Sequence, residues 1–285
     1  MKLKKYIIVL LLFFTGFSKA QVYSQADINT CVQEFQMVID QKLTHQPVGE
    51  IIAAIAKSFI GKMYMAHTLE VAQPETLVVN LRGFDCTTLV ENSLTLARVS
   101  KMKKPTVKKF MEQLQLERYR HGKIDGYTSR LHYFTDWIYD GQKKGVVKDI
   151  TKKLGGIPYN KKIDFMSTHR KAYKQLKNDK FYKEIGEIEK ELNKRKLYYI
   201  PKDSVAKIES KIKGGDIIAF TTSIPGLDVS HTAIALNMAD GKVHIIHAPD
   251  VGQRVKISYV SLSRYIEGNK KQTGIIIARP QEPKR

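Results

Sequence analysis

The sequence predicts an α+β fold, because helical patterns fill its first half and strand patterns its last part. In residues 26–40 (ADINTCVQEFQMVID), Ile28, Val32, Phe35 and Ile39 recur at helical spacing, with Cys31 on the same helix as a small, partly buried residue. VGEIIAAIAKSFI (48–60) reads as a second amphipathic helix. TLVVNL (76–81) reads as a short strand. It leads into LRGFDCTTLVENSLTLARV, where Asp85 suits an N-cap and Leu89, Val90, Leu94 and Ala97 mark an amphipathic helix. Lys101 to Pro105 ends that helix, and another is expected from Val107 to Gln115. The segments GDIIAFTTS, VSHTAIALNM, KVHIIHAP and TGIIIAR then read as strands joined by Pro/Gly turns.

Composition divides the chain into four parts. Residues 1–20 combine Lys2, Lys4 and Lys5 with an apolar run from Tyr6 to Phe17 and a small-residue Ser18-Lys19-Ala20 end. This is the pattern of a cleaved secretory signal, too short for a membrane span, so export to the periplasm is expected. Residues 21–116 form the helical part of the core, 117–213 a basic elaboration, and 214–285 the antiparallel sheet. The formal net charge is +20, and between 141 and 213 there are 21 Lys/Arg against 9 Asp/Glu. Such a balance suits polyanionic partners, among which nucleic acid fits an exported chain least. No later stretch has transmembrane length, and a monomer is expected.

The chain contains two cysteines, Cys31 and Cys86. A disulfide between them is the ordinary expectation for an exported protein. The context of Cys86 points elsewhere. In the first turn of a helix capped by Asp85, the unpaired N–H groups and the helix dipole favour a thiolate and can hold an oxyanion.

A nucleophile needs a base, and the strand region offers His231, His244 and His247. If Ala239-Asp240-Gly241 forms a three-residue loop with Gly241 left-handed, residue 238 faces 242 and His247 faces Ala233. His247 then lies diagonal to His231 on one side of the sheet, roughly 7–8 Å away at Cα, while His244 points to the other side. A two-residue turn would instead leave His244 roughly 20 Å from His231. The spacing therefore predicts Cys86 as nucleophile, His231 as base and then acid, and His247 as orienter. Ala233 and Ala235 on the His231 side are expected to leave room for a helix to approach. A zinc site through His244 and His247 is disfavoured, because strand residues three apart face opposite ways.

These residues carry a resemblance. FDCTTLVE, GDIIAF, SHTAIAL and IIHAP, in that order, resemble the motifs of the NlpC-type superfamily of papain-like cell-wall hydrolases, across residues 60–110 and 214–280. Departures are Thr87-Thr88 for the usual Ser-Gly, Ala233 for a glycine, and a tyrosine loop reduced to Met63-Tyr64. With the basic insertion and SRLHYFTDW (129–137), the chain is similar to the N-acetylmuramoyl-L-alanine amidase-like branch. The resemblance implies a papain-like core, cleavage of the amide between N-acetylmuramic acid and L-alanine in peptidoglycan fragments, anhydro forms among them, and neither metal nor organic cofactor. It places Cys86, His231 and His247 at the catalytic positions and Tyr64 near the substrate. Asp85 contacts a substrate amine in peptidase relatives; in an amidase, capping becomes its main role. Arg130, His132, Tyr133 and Trp137 are candidates to line a pocket for sugar or peptide carboxylates, with ordinary packing as their alternative. Two other readings stay open: a γ-D-glutamyl-diaminopimelate endopeptidase, and a non-catalytic binder of wall or membrane polyanions.

Overall fold

Capping residues decide where the N-terminal helices begin. The computed structural model describes residues 21–71 and 74–284; the expected signal sequence lies outside these described residues. Strand β1 (Gln21–Val22) precedes helix α1 (Gln25–Asp40), which Ser24 opens through a reciprocal capping box with Asp27. Helix α2 (Val48–Ser58) follows Pro47 and buries Ile51, Ile52 and Ile55. The short strands β2 (Met63–Tyr64), β3 (Leu77–Val78) and β4 (Gly83–Phe84) form two parallel pairs, β1 with β3 and β2 with β4. Of the strand expected over 76–81, only Leu77–Val78 is regular.

Helix α3 (Cys86–Ser100) departs from the amphipathic expectation. Every residue from Thr88 to Ser100 is buried, so the helix is enclosed on all sides. Its polar residues are tolerated there because helix α4 (Val107–Arg118) supplies partners. Arg118 meets Glu91 at 2.8 Å, and Arg98 meets Glu117 at 3.5 Å. An unpaired charge in that position would be strongly destabilising.

The stretch 117–213 is tied into the sheet rather than set apart from it. Helix α5 (Phe134–Lys143) leads to β5 (Val147–Asp149) and β6 (Ile157–Pro158). Helices α6 (Phe165–Thr168) and α7 (Asp179–Asn193) follow, then β7 (Tyr198–Pro201) and α8 (Val205–Ile208). Helix α7 is legible in FYKEIGEIEKELNKRK. In SVAKIESKI only one helical turn is regular, continued by a 3-10 turn at Glu209–Lys211. A small apolar cluster of its own holds this region, with Tyr127, Tyr133, Ile163, Met166, Leu176, Ile185 and Leu192 buried together.

The last part supplies β8 (Ile217–Thr222), β9 (Val229–Asn237), β10 (Val243–His247), β11 (Lys256–Ile257), α9 (Leu262–Glu267) and β12 (Gln272–Pro280). The sheet runs β11-β10-β9-β8-β12-β7-β6, with β5 also pairing β12, and every pair is antiparallel. The architecture is mixed α/β around an antiparallel sheet. Among the described residues no helix is long and apolar enough to cross a membrane.

The turn between β9 and β10 is the three-residue form. Asn237 pairs Val243, the Met238 N–H donates to the Lys242 carbonyl at 3.0 Å, and Gly241 has φ +76°, a conformation that glycine adopts freely. The sheet face with the small residues receives helices, as the sequence suggests. Ala233 and Ala235 pack with Val205, Ile208, Leu262 and Ile266, whereas Ile234 and Leu236 share a core with the residues of α3. The small residues thus receive α8 and α9, and the Cys86 helix covers the aliphatic face.

Candidate functional site

Cys86 is the first residue of α3, and its neighbours explain the unusual Thr87-Thr88. The Asp85 Oδ1 accepts the Thr88 N–H at 2.7 Å, and the Asp85 N–H donates to Thr88 Oγ1 at 3.0 Å. Thr88 therefore completes a capping box that serine and glycine could not make in the same way. The Cys86 side chain is partly exposed and free, and Cys31 is a free, buried thiol in the core behind it.

The sulfur meets β9 at Thr232, whose backbone N–H and hydroxyl both act on it; the Thr87 hydroxyl acts on it as well. Burial raises the thiol above its ordinary range and the Asp85 carboxylate adds to that, while the nearby Thr232 N–H and the Thr232 and Thr87 hydroxyls oppose it without prevailing. Dehydration at the helix start thus works against the expected resting thiolate more strongly than the neighbouring donors work for it.

His231 sits one residue before Thr232. Between Phe220 and Thr221 the register with β9 shifts, so that Phe220 pairs His231 and Thr221 pairs Val229. This irregularity sets the imidazole against the Phe220 ring, with centroids 5.7 Å apart. The two expected histidines come together: His231 Nε2 and His247 Nδ1 are 2.8 Å apart, with the rings edge to face. Both are buried, and burial lowers His231 to about 4 and His247 to about 3, so the pair is neutral at neutral pH. With Nε2 engaged, Nδ1 is the His231 nitrogen left for a proton from outside the pair. If Nδ1 is the unprotonated nitrogen, Nε2–H is the donor to His247.

Two tyrosines flank the thiol. Tyr64 of β2 is half-buried and pushed up to about 12, by burial first and then by Cys86, Asp85 and Asp250. Tyr265 of α9, absent from the residues expected at the site, lies edge-on to His247 at 5.3 Å and beside Phe220 at 5.4 Å. Burial and the Cys86 sulfur both raise its phenol. Asp250 and Thr232 are further unexpected neighbours. The place of Thr232 beside His231 is a signal that could have found it; Tyr265 has none, because α9 is not anticipated from the pattern.

The other predicted site residues make contacts of their own within the chain. Arg130 is buried; its Nη1 donates to the Leu69 carbonyl at 3.1 Å, its Nη2 to Glu70 at 2.6 Å, and its Nε stands 3.4 Å from Glu75. It clamps the segment that follows Tyr64 rather than offering a fork to a carboxylate. His132 Nε2 bonds the Tyr127 carbonyl at 2.9 Å. Tyr133 donates to Glu189 at 2.7 Å and accepts the Met166 N–H at 2.9 Å. Trp137, 1% exposed, stacks on Phe134. These contacts are what ordinary packing, the alternative role of the four, would produce. His244 bonds the Ser258 carbonyl at 2.8 Å and Asp240 at 3.2 Å, outside the pair formed by His231 and His247. Among the described residues no group of three His, Cys, Asp or Glu side chains is arranged to hold a metal ion.

Residues 54–275 match the family described as N-acetylmuramoyl-L-alanine amidase-like. The chain is similar to a solved N-acetylmuramoyl-L-alanine amidase from Bacteroides uniformis, at 40% identity over 82% of this chain and 99% of that one, with TM-score 0.78. It is also similar to a Bacteroides fragilis protein provisionally named a xylanase, at 39% identity over 79% and 98%, TM-score 0.71. A Legionella pneumophila protein at 22% identity, covering 91% and 98% with TM-score 0.65, shares the fold. Among curated proteins none matches.

Proposed function

Since the chain belongs to the N-acetylmuramoyl-L-alanine amidase-like family, we propose that it is a cysteine-dependent amidase, cutting the bond between N-acetylmuramic acid and L-alanine in soluble peptidoglycan fragments, anhydro forms included. The observation that carries the cysteine mechanism is the 2.8 Å contact between His231 and His247, one residue along the strand from the Thr232 groups that meet the Cys86 sulfur. This arrangement supports a papain-like reading of the core, with the nucleophile at a helix start and the base on an antiparallel strand.

In the proposed reaction the Cys86 thiol passes its proton to Nδ1 of His231 as sulfur attacks the lactyl carbonyl, so charge appears only as the bond forms. His247 accepts from Nε2–H of His231 and keeps the ring in the tautomer that this transfer needs. Backbone N–H groups in the first turn of α3 hold the oxyanion. The His231 imidazolium then protonates the leaving L-alanine nitrogen, and the neutral ring activates water against the thioester. Asp85 serves as cap, and Tyr64 borders the substrate. Neither metal nor organic cofactor takes part. Export through a cleaved leader, cell-wall fragments as partners and a monomeric state complete the proposal.

Mass spectrometry of purified muropeptides incubated with the protein tests it. Release of an intact peptide beginning with L-alanine, abolished in Cys86→Ala while the fold is unchanged, is the expected result. Cleavage after D-glutamate would make the protein an endopeptidase. Turnover in Cys86→Ala would sink the cysteine mechanism.

A further inference from the structure

Thr232 is a polar residue on an aliphatic face. The neighbours that follow it on the same side of β9, Ile234 and Leu236, belong to the apolar core under α3. Thr232 itself is 1% exposed, and its Oγ1 has no hydrogen-bond partner of ordinary geometry among the described residues. A buried hydroxyl left without a partner costs about 1–3 kcal/mol, and valine would fit the same space without that cost. The polar atom on which this hydroxyl acts is the Cys86 sulfur, which the Thr232 backbone N–H also serves.

We propose that Thr232 is a catalytic residue: its hydroxyl, held off in the resting thiol, closes on the sulfur as a hydrogen-bond donor when the thiolate forms. A thiol is a weak acceptor and a thiolate a strong one, so the bond gains strength along the reaction coordinate and not in the ground state. Strand β9 thereby carries two functions on adjacent residues: His231 receives the proton, and Thr232, on the opposite side of the chain, steadies the charge that the proton leaves behind. The groups around the sulfur make such a donor useful. Asp85 stands at the helix cap, Tyr64 on β2, Tyr265 on α9 and Asp250 on the loop after β10; the charged members of this set are acidic. The hydroxyls that favour the charged form of the sulfur are those of Thr232 and Thr87.

The proposal rests on Cys86 as the nucleophile, and its test is independent of the substrate. In a Cys31→Ala background, the rate of alkylation by iodoacetamide is followed from pH 5 to 10 for the parent, Thr232→Val and Thr232→Ser, alongside muropeptide turnover. Thr232→Val is expected to melt no lower than the parent, to raise the apparent thiol pKa by about one unit, and to slow alkylation at pH 7 about tenfold. Where muropeptides are turned over, kcat falls about tenfold with KM unchanged, and Thr232→Ser restores both readouts. An alkylation profile in Thr232→Val identical to that of the parent overturns the proposal. Alkylation needs no muropeptide, so failure of this proposal is distinguishable from failure of the amidase reading.

Discussion

Two regions of this molecule carry the same kinds of residue and treat them in opposite ways. Around Cys86 the polar groups have valences to spare: Nδ1 of His231, the hydroxyl of Thr232 and the phenols of Tyr64 and Tyr265 have no full hydrogen bond to protein among the described residues. Around Arg130, most partners are already in place, although Arg130 Nε and Trp137 Nε1 make no hydrogen bond among the described residues. Arg130 is held by Glu70, Glu75 and the Leu69 carbonyl, and Tyr133 by Glu189 and Met166. The difference teaches how to separate a site from a brace when composition cannot. A site leaves its reactive polar groups open until substrate arrives, whereas a brace makes most of its bonds within the chain.

The comparison breaks most visibly at Arg130. Arg130→Met should leave Glu75 buried without its charge partner and cost about 3 kcal/mol. Denaturant unfolding should show that loss, while kcat of the folded enzyme stays within about twofold. A loss of kcat with stability intact would move Arg130 from brace to site.

Acid should act on the other region. His231 and His247 are held neutral in the fold, at about 4 and about 3, whereas an unfolded histidine titrates near 6.5. In the window between the folded and unfolded values, the unfolded chain binds more protons, so stability rises with pH there and is lost as pH falls below 6.5. At pH 5 the loss is about 2 kcal/mol for each histidine, measurable as a lowered Tm that His247→Gln partly relieves. Activity of the folded enzyme should persist further into acid, with the limb of kcat/KM near pH 4, where His231 gains its proton. A limb near 6.5 would show that the imidazole is not dehydrated as the structure has it.

The smallest effect belongs to Tyr133→Phe, which removes one hydroxyl from between Glu189 and the Met166 N–H. About 1 kcal/mol of stability should be lost, with KM and kcat unchanged. A raised KM would return Tyr133 to the substrate pocket.

Much of the site is legible in the sequence, because it depends on local rules. Asp85 as cap, Cys86 as first helical residue, and the three-residue loop at Gly241 follow from short-range backbone chemistry. The loop sets the register of β9 and β10, and the register brings His231 to His247. Helices α1, α2 and α4 and strands β8, β9, β10 and β12 are likewise visible as periodic patterns. What is not legible is whatever requires knowing which surfaces meet. The small side chains of Ala233 and Ala235 suggest a seat for a helix, but not that α8 and α9 take it while α3 covers the Ile234 and Leu236 side. The partners of Arg130 and Tyr133, namely Glu70, Glu75 and Glu189, lie far from them along the chain and carry no local signal.

The sequence by itself determined the strongly periodic helices and strands, the cap, the register of β9 with β10 and the identity of the paired histidines, since each arises among residues adjacent in the chain or joined by one short turn. Only the tertiary structure decided the dehydration of Cys86, the Arg130 brace, and the presence of Thr232 and Tyr265 at the sulfur. Those depend on burial and on contacts between distant segments, and dehydration is a property of the enclosing fold that no local stretch encodes.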